Sequence, residues 1–464
     1  MQDDHPLSRA FVHAGEFLSE VAERPVCAAA SLEELRNRLY RPIADEGVPD
    51  GRIIDELVAD TGDGLLSSVG GRFFGWVIGG ALPAAVAADW LTAVWDQNAA
   101  APACSPASAV VEEICGDWLR ELLGIPRAAS FGFVTGCQAA HTTALAAARH
   151  SLLQGLGWDV ERCGLSGAPA IRLVTSESRH ESLIRAVRLL GLGTDAVELV
   201  SCEPSGSISL SALEGALGRE PGQPIILCLQ AGDLNTGAFD PFSEAIALAR
   251  SKSAWVHIDG AFGLWAAASD RFRHLLAGAD QADSWATDGH KWLNIPFDSG
   301  FVFVADPQAH SAALTQATSY SIPIEGIRNP MDWNLEWSRR ARGYPVYAAL
   351  RALGRRGLEN LVDRCCAHAK RLVADIGKLD GAEVLARPII NQGLVRFLGR
   401  GGAHDETTDK VIEHVQRHGR AWFGGTTWRG QRAMRVSVCN WRTTNGDVDI
   451  AVDAIKHALE SVRG

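Results

Sequence analysis

Residues 284–294 read Ser-Trp-Ala-Thr-Asp-Gly-His-Lys-Trp-Leu-Asn. The run 283–288 (DSWATD) reads as a strand, and Lys291 follows just past it, between a histidine and a tryptophan. Parallel α/β sheets bind ligands outside the carboxyl ends of their strands, so a lysine there stands where a ligand site is expected. Burial favours the neutral amine, the form that attacks a carbonyl to make a Schiff base. The alternative is a lysine that snorkels to solvent from a strand end.

Around this segment the sequence alternates regularly. Strand-like runs at 171–176 (IRLVTS), 196–201 (AVELVS), 224–230 (PIILCLQ), 254–259 (AWVHID) and 300–305 (GFVFVA) join 283–288. Helix-like runs at 138–155, 181–190, 210–217 and 241–252 lie between them; Asp240 is the expected N-cap of the last, with Pro241 at its first position. Apolar strands alternating with helices predict an α/β fold whose mostly parallel sheet is covered on both faces. After Arg340 the pattern changes to helix 346–373, short strands near 382–385 and 393–398, helix 407–418, strand 434–438 and helix 447–462, a smaller α+β domain. Towards the start, residues 7–25 predict an amphipathic helix, and Gly70 to Asn98 reads as irregular, close-packed structure. The expected division is an arm over 1–80, a large domain over 81–345 and a small domain over 346–464.

Three further strand ends carry chemistry. In Trp255-Val-His-Ile-Asp-Gly-Ala-Phe-Gly263 a carboxylate, Asp259, ends a β-branched and aromatic strand. It needs a cation such as a protonated pyridine nitrogen, or else it caps the following turn. In Phe133-Val-Thr-Gly-Cys-Gln-Ala-Ala-His141 a strand, a glycine and the start of an alanine-rich helix offer free amides to a phosphate, although the run is neither a dinucleotide fingerprint nor a P-loop. An ordinary strand-to-helix turn would look the same. In Ser176-Glu-Ser-Arg-His180 an imidazole closes another strand, placed to stack on a flat ring or to serve a structural role.

Composition narrows the class. The chain has 464 residues, 47% hydrophobic and 21% charged, with a formal net charge of −11, which excludes disorder and disfavours general nucleic-acid binding. Its first residues lack the basic start and apolar stretch of an export signal, and it has no apolar run of about 18 residues, so a soluble cytoplasmic protein without a membrane role is expected. Ten cysteines without a CxxC pair read as reduced thiols, and no metal site is expected. Tyrosine is scarce: Tyr40, Tyr320, Tyr344 and Tyr347 are the four phenols.

Together and in this order, the segments around Ser105 (SPAS), Gly136, His180, Asp259, Lys291 (DGHKWL) and 434–444 (MRVSVCNWRTT) resemble the pyridoxal-phosphate-dependent group II amino-acid decarboxylases, over nearly the whole chain. The resemblance implies a type I aminotransferase-like fold with a large seven-stranded sheet domain sandwiched by helices and a small C-terminal α+β domain. It implies a homodimer with the active site at the interface and pyridoxal 5'-phosphate held by Lys291 as a Schiff base. Asp259 would pair with the pyridine nitrogen, His180 would stack on the ring, and Gly136, Cys137 and Gln138 would line the phosphate pocket with Asp288 and His290 beside it. The implied reaction is decarboxylation of an L-amino acid to the amine and carbon dioxide, with Lys291, Asp259, His180 and an acid taking part. Aldehyde synthase, aminotransferase and carbon–carbon lyase are the alternatives on the same fold.

The sequence departs from the family in two places that matter. Gln138 stands where a Ser or Thr is common. The stretch Ile322 to Arg339, which corresponds to the family's mobile loop with its proton-donating tyrosine, holds no tyrosine, which leaves Tyr320, just upstream, as the candidate acid. Phe74 and Trp76 are the candidate side-chain pocket, leaning towards an aromatic or bulky apolar substrate, with core packing as the alternative; Arg435 is the candidate partner of a substrate carboxylate, as an aminotransferase or lyase would need, with a structural salt bridge as the alternative.

Overall fold

The computed structural model describes residues 5–316 and 328–463. Seven strands form the large sheet: β1 (Ser130–Val134), β2 (Arg172–Ser176), β3 (Val197–Val200), β4 (Ile225–Gln230), β5 (Trp255–Asp259), β6 (Ser284–Asp288) and β7 (Gly300–Val304), in the order β1-β7-β6-β5-β4-β2-β3. β2 to β6 pair in parallel, and only β7 runs against its neighbours β6 and β1. Every residue of the strands other than the edge strand β3 is buried, as a sheet covered on both faces requires. The expected fold class is therefore present. Because β7 is reversed against both neighbours, the carboxyl ends of β1, β5 and β6 open on one side. Helix Cys137–Gln154 leaves β1 there and packs across β5, β6 and β7.

The small sheet is antiparallel, in the order β10-β11-β9-β8, from β8 (Ala382–Ala386), β9 (Gln392–Phe397), β10 (Gly424–Trp428) and β11 (Gln431–Ser437). Helices His404–His418 and Asn445–Arg463 pack on each other, and the first also lies on β9 and β11.

Four local expectations need correction. Pro83–Trp95, read as irregular, is a helix: Pro83 occupies its first turn, where a missing N–H costs nothing, and Asp96 ends it in the left-handed conformation (φ 47°). Asp240 does not cap helix Phe242–Arg250. It is buried and accepts from the Ile208 and Gln230 N–H groups, tying two strand connections together. The helix expected over 346–373 spans Gly343–Ile376 and breaks at Gly354, whose φ of 59° suits a residue without Cβ. β10 was not expected, since two glycines open it and its residues are half exposed.

Two buried polar side chains fix the parts around the sheet's open side. Arg339 donates to Glu112 Oε1 at 2.6 Å and to the carbonyls of Ala99 and Phe133, fastening the chain that follows residue 328 to β1. Asn294 is fully buried, with φ at +55°, a conformation asparagine tolerates. Its Oδ1 accepts from the N–H groups of Gly80 (2.6 Å) and Trp441 (2.9 Å), and its Nδ2 donates to the carbonyls of Trp292 (2.7 Å) and Cys439 (3.0 Å). One side chain thus joins the segment before helix Pro83–Trp95, the lysine-bearing turn and the chain after β11. Asn294→Leu strands four polar groups, three of them in fully buried bonds, and should lower the unfolding free energy by about 3 kcal/mol or more. Urea denaturation measures this; a loss under about 1 kcal/mol would show that water or rearrangement replaces the amide.

Candidate active site

Asp288, the last residue of β6, is the centre of the site. Its side chain is 3% exposed; Oδ1 accepts from the Cys137 N–H at 2.6 Å, and Oδ2 lies 3.1 Å from Lys291 Nζ and 3.7 Å from His290 Nε2. Lys291, 21% exposed, has its amine pulled in opposite directions: burial favours the neutral form, while Asp288, Cys137 and Asp259 favour the ammonium and prevail. The expectation of a neutral amine is thereby corrected, because the strand end that buries Lys291 also supplies its carboxylate. His290 accepts from the Ser299 N–H at Nδ1 (3.2 Å) and lies against the Phe297 ring; burial lowers its pKa although Asp288 opposes the shift.

The turn from β1 into helix Cys137–Gln154 faces this carboxylate. A Cβ on Gly136 would come within 3.0 Å of His290 Cε1 and 3.3 Å of Asp288 Oδ1, and one on Gly300 would press to 2.5 Å on the Gly136 Cα, so the turn and β7 approach as only glycines permit. First-turn amides of a helix have no intrahelical partner and favour an anion. Gln138 Nε2 beside them is buried without a hydrogen-bond partner.

One strand over, Asp259 ends β5. Its Oδ1 accepts from the Ala261 N–H at 3.1 Å, so the turn-capping reading holds too, while Oδ2 lies 3.5 Å from His141 Nε2. Burial would raise its pKa, but His141, then His180 and Lys291, outweigh it and hold the carboxyl well below the usual range. His141, fully buried, is a site residue that sequence reasoning missed, together with His257, whose Nε2 lies 2.9 Å from His141 Nδ1. Cys137 Sγ, a His141 ring nitrogen and an Asp259 oxygen fall within 4.8 Å of one another.

His180 caps helix Glu181–Leu189, its Nδ1 2.8 Å from Ser182 Oγ, and its exposed ring lies within electrostatic reach of Asp259, Lys291, His141 and Arg435. Arg435, on β11, is buried and donates to the Trp76 carbonyl at 3.0 Å; burial, opposed by Asp233, lowers its pKa to about 10. Trp76 is 51% exposed and stands over Trp422, with ring centroids 4.6 Å apart. Three residues on, a Cβ at Gly79 would fall 2.0 Å from the Lys291 carbonyl oxygen, so this segment borders the lysine turn. Phe74 is corrected as a pocket residue: it is fully buried and stacked on Phe423, with no surface left for a ligand. Tyr320 lies outside the described residues.

These groups fit pyridoxal phosphate. The orphaned Gln138 amide and the helix start suit its phosphate, the buried ionised Asp259 suits a protonated ring nitrogen, and Lys291 supplies the amine for its carbonyl. Since Asp288 holds the proton on Lys291, Asp288→Asn should lower the lysine's pKa. In the apo-protein, Lys291 should then react with an amine-acylating reagent at lower pH than in the wild type, as read by mass spectrometry of its peptide; an unchanged pH profile would refute the pairing.

The model of the pyridoxal-dependent decarboxylase conserved domain matches residues 63–398. The chain is 26% identical over 460 residues to the aromatic-L-amino-acid decarboxylase of Bacillus atrophaeus, covering 96% of this chain and 93% of that protein. It is 28% identical over 370 residues to the L-2,4-diaminobutyrate decarboxylase of Rhizobium meliloti, covering 78% and 71%. Among solved structures, Oryza sativa TDC with PLP and tryptamine superposes with a TM-score of 0.93 at 21% identity, covering 99% of this chain and 98% of that one, a likeness of fold. With the family model spanning both the large sheet and the first half of the small one, the chain belongs to the pyridoxal-dependent decarboxylases, carboxy-lyases that act on amino acids with pyridoxal 5'-phosphate.

Proposed function

We propose that this decarboxylase acts on an L-amino acid with an aromatic or bulky apolar side chain, releases the amine and carbon dioxide, and works as a cytoplasmic homodimer. The reading rests on one observation above all: Lys291 and two buried carboxylates, Asp288 and Asp259, meet at the carboxyl ends of the neighbouring central strands β5 and β6. When bound, the cofactor supplies a ring that accepts the electron pair left on Cα by the departing carboxylate. Asp259 keeps a proton on the ring nitrogen, because a carboxylate held ionised favours the cation opposite it. Lys291 holds the cofactor, Asp288 orients Lys291, and the Gly136-Cys137-Gln138 turn with His290 receives the phosphate. His180 would stack on the ring, and Arg435 would receive a substrate carboxylate in the aminotransferase or lyase alternative.

The lean towards an aromatic substrate is supported by the half-exposed Trp76 with its neighbours Trp422 and Phe73, and by the name of the Bacillus atrophaeus relative. The homodimer is supported by the exposed apolar side chains of the first hundred residues, among them Phe11, Tyr40, Ile43, Val94 and Trp95. The ten free thiols agree with a reducing compartment. Among the described residues no helix is long and apolar enough to cross a membrane. A second reading, aldehyde formation with dioxygen consumed, is favoured by the absence of tyrosine from 322–339, and a solved structure similar in fold is a Rhodiola rosea 4-hydroxyphenylacetaldehyde synthase.

Trapping carbon dioxide from the twenty L-amino acids should give the highest kcat/KM with an aromatic one; an acidic or diamino preference would overturn the substrate assignment. Lys291→Ala should abolish both turnover and the long-wavelength absorbance of the bound cofactor. With Tyr320 as the acid, Tyr320→Phe should leave carbon dioxide release intact while shifting the product from amine towards aldehyde. Light scattering should give twice the chain mass.

A further inference from the structure

Behind the site, a line of buried polar side chains runs through the core to Asp259. The Trp255 indole N–H donates to Ser284 Oγ at 2.9 Å, and Ser284 Oγ lies 2.9 Å from His257 Nδ1. His257 Nε2 lies 2.9 Å from His141 Nδ1, and His141 Nε2, which is buried and completes no hydrogen bond, faces Asp259 Oδ2 at 3.5 Å, within ion-pair distance. Ser284, His257 and His141 are fully buried.

The two ends of this line determine everything between them. An indole N–H only donates, and a carboxylate only accepts. At the Asp259 end, His141 must carry its proton on Nε2, which leaves Nδ1 as an acceptor. His257 must then donate from Nε2 and accept at Nδ1. Ser284 accordingly gives its hydroxyl proton to His257 and takes the indole N–H on its oxygen, so every group up to His141 Nδ1 is satisfied, and the remaining N–H of His141 is aimed at Asp259. A second proton on His141 would reverse the line: His141 would donate from Nδ1, His257 would donate from Nδ1 to Ser284, and the serine hydroxyl would be left without an acceptor. Burial acts in the same direction, pushing the His257 pKa down to about 3. The other titratable groups facing Asp259 are His180, Lys291, Cys137 and Cys228.

We propose that His141 and His257 are positioning residues for decarboxylation: their locked tautomers present one N–H to Asp259 and so fix the ionisation and orientation of the carboxylate opposite the cofactor's ring nitrogen. The proposal rests on the assignment of Asp259 to that nitrogen. The buried line from Trp255 to Asp259 has one arrangement in which the donors and acceptors of both histidines match, as in the orientation of a catalytic histidine by its buried partner.

The test uses holoenzyme reconstituted with cofactor isotope-labelled at the ring nitrogen, in the wild type and in His141→Phe, His257→Phe and Asp259→Asn. In both histidine variants the ring-nitrogen resonance should move from its protonated towards its unprotonated position. Cofactor affinity and kcat should fall about tenfold to a hundredfold with KM for the amino acid unchanged, the scale seen when an outer partner of a site ligand is lost. Histidine variants with wild-type resonance, kcat and cofactor affinity, alongside an impaired Asp259→Asn, would overturn the relay alone. An Asp259→Asn enzyme that behaves as wild type would instead overturn the assignment of Asp259. Should the phenylalanine variants fail to fold, nitrogen NMR of wild-type holoenzyme labelled in histidine decides the question: His141 and His257 should both carry the proton on Nε2, and an Nδ1 proton on either refutes the proposal.

Discussion

The carboxylate of Asp288 is the contact on which the site depends. It lies at the end of a buried central strand, accepts from the first amide of the helix after Gly136, and faces the amine of Lys291 across a turn of three residues. A charge taken so far from water is tolerable only with partners close on both oxygens, and here the partners are the two elements that must meet a phosphate and a carbonyl of one small molecule. The same interaction that makes the buried carboxylate tolerable therefore sets the spacing between phosphate turn and lysine.

A second constraint comes from the sheet. Reversal of β7 against both neighbours leaves β1, β5 and β6 opening on one side, so Gly136, Asp259 and Asp288 come to the same end of the sheet although 123 and 29 positions separate them in sequence. The charges alternate across it: carboxylates at the ends of β5 and β6, Lys291 between them and Arg435 beyond. A zwitterionic substrate and an anionic cofactor both find opposite charge there.

What the sequence disclosed was what sits at strand ends. Lys291, Asp259, Asp288 and Gly136 each follow an apolar run, and the cleft's location at carboxyl ends follows from the parallel pattern alone. The arrangements that stayed hidden depend on partners distant in the chain. His141 and His257 lie 116 positions apart and read as an ordinary helix residue and strand residue until helix Cys137–Gln154 is laid over β5. Lys291 was expected to be neutral because burial was visible and its carboxylate neighbour's distance was not. Phe74 was expected in the pocket because aromatic character does not tell core from cleft. Helix Pro83–Trp95 was obscured by the glycines before it, and β10 by the glycines within it.

Asn294 also bears on how the enzyme admits its substrate. Its amide holds the lysine turn, the segment at Gly80 and the chain after β11 in a single knot, so rocking the small sheet against the lysine turn would break the two bonds to Cys439 and Trp441 together. Those bonds favour a fixed arrangement of the lysine turn and the small sheet over hinge closure about that junction. Access must be governed by parts of its rim outside this knot, such as the half-exposed Trp76 and the exposed His180, and a change of substrate preference can arise at that rim without disturbing the frame that holds the cofactor.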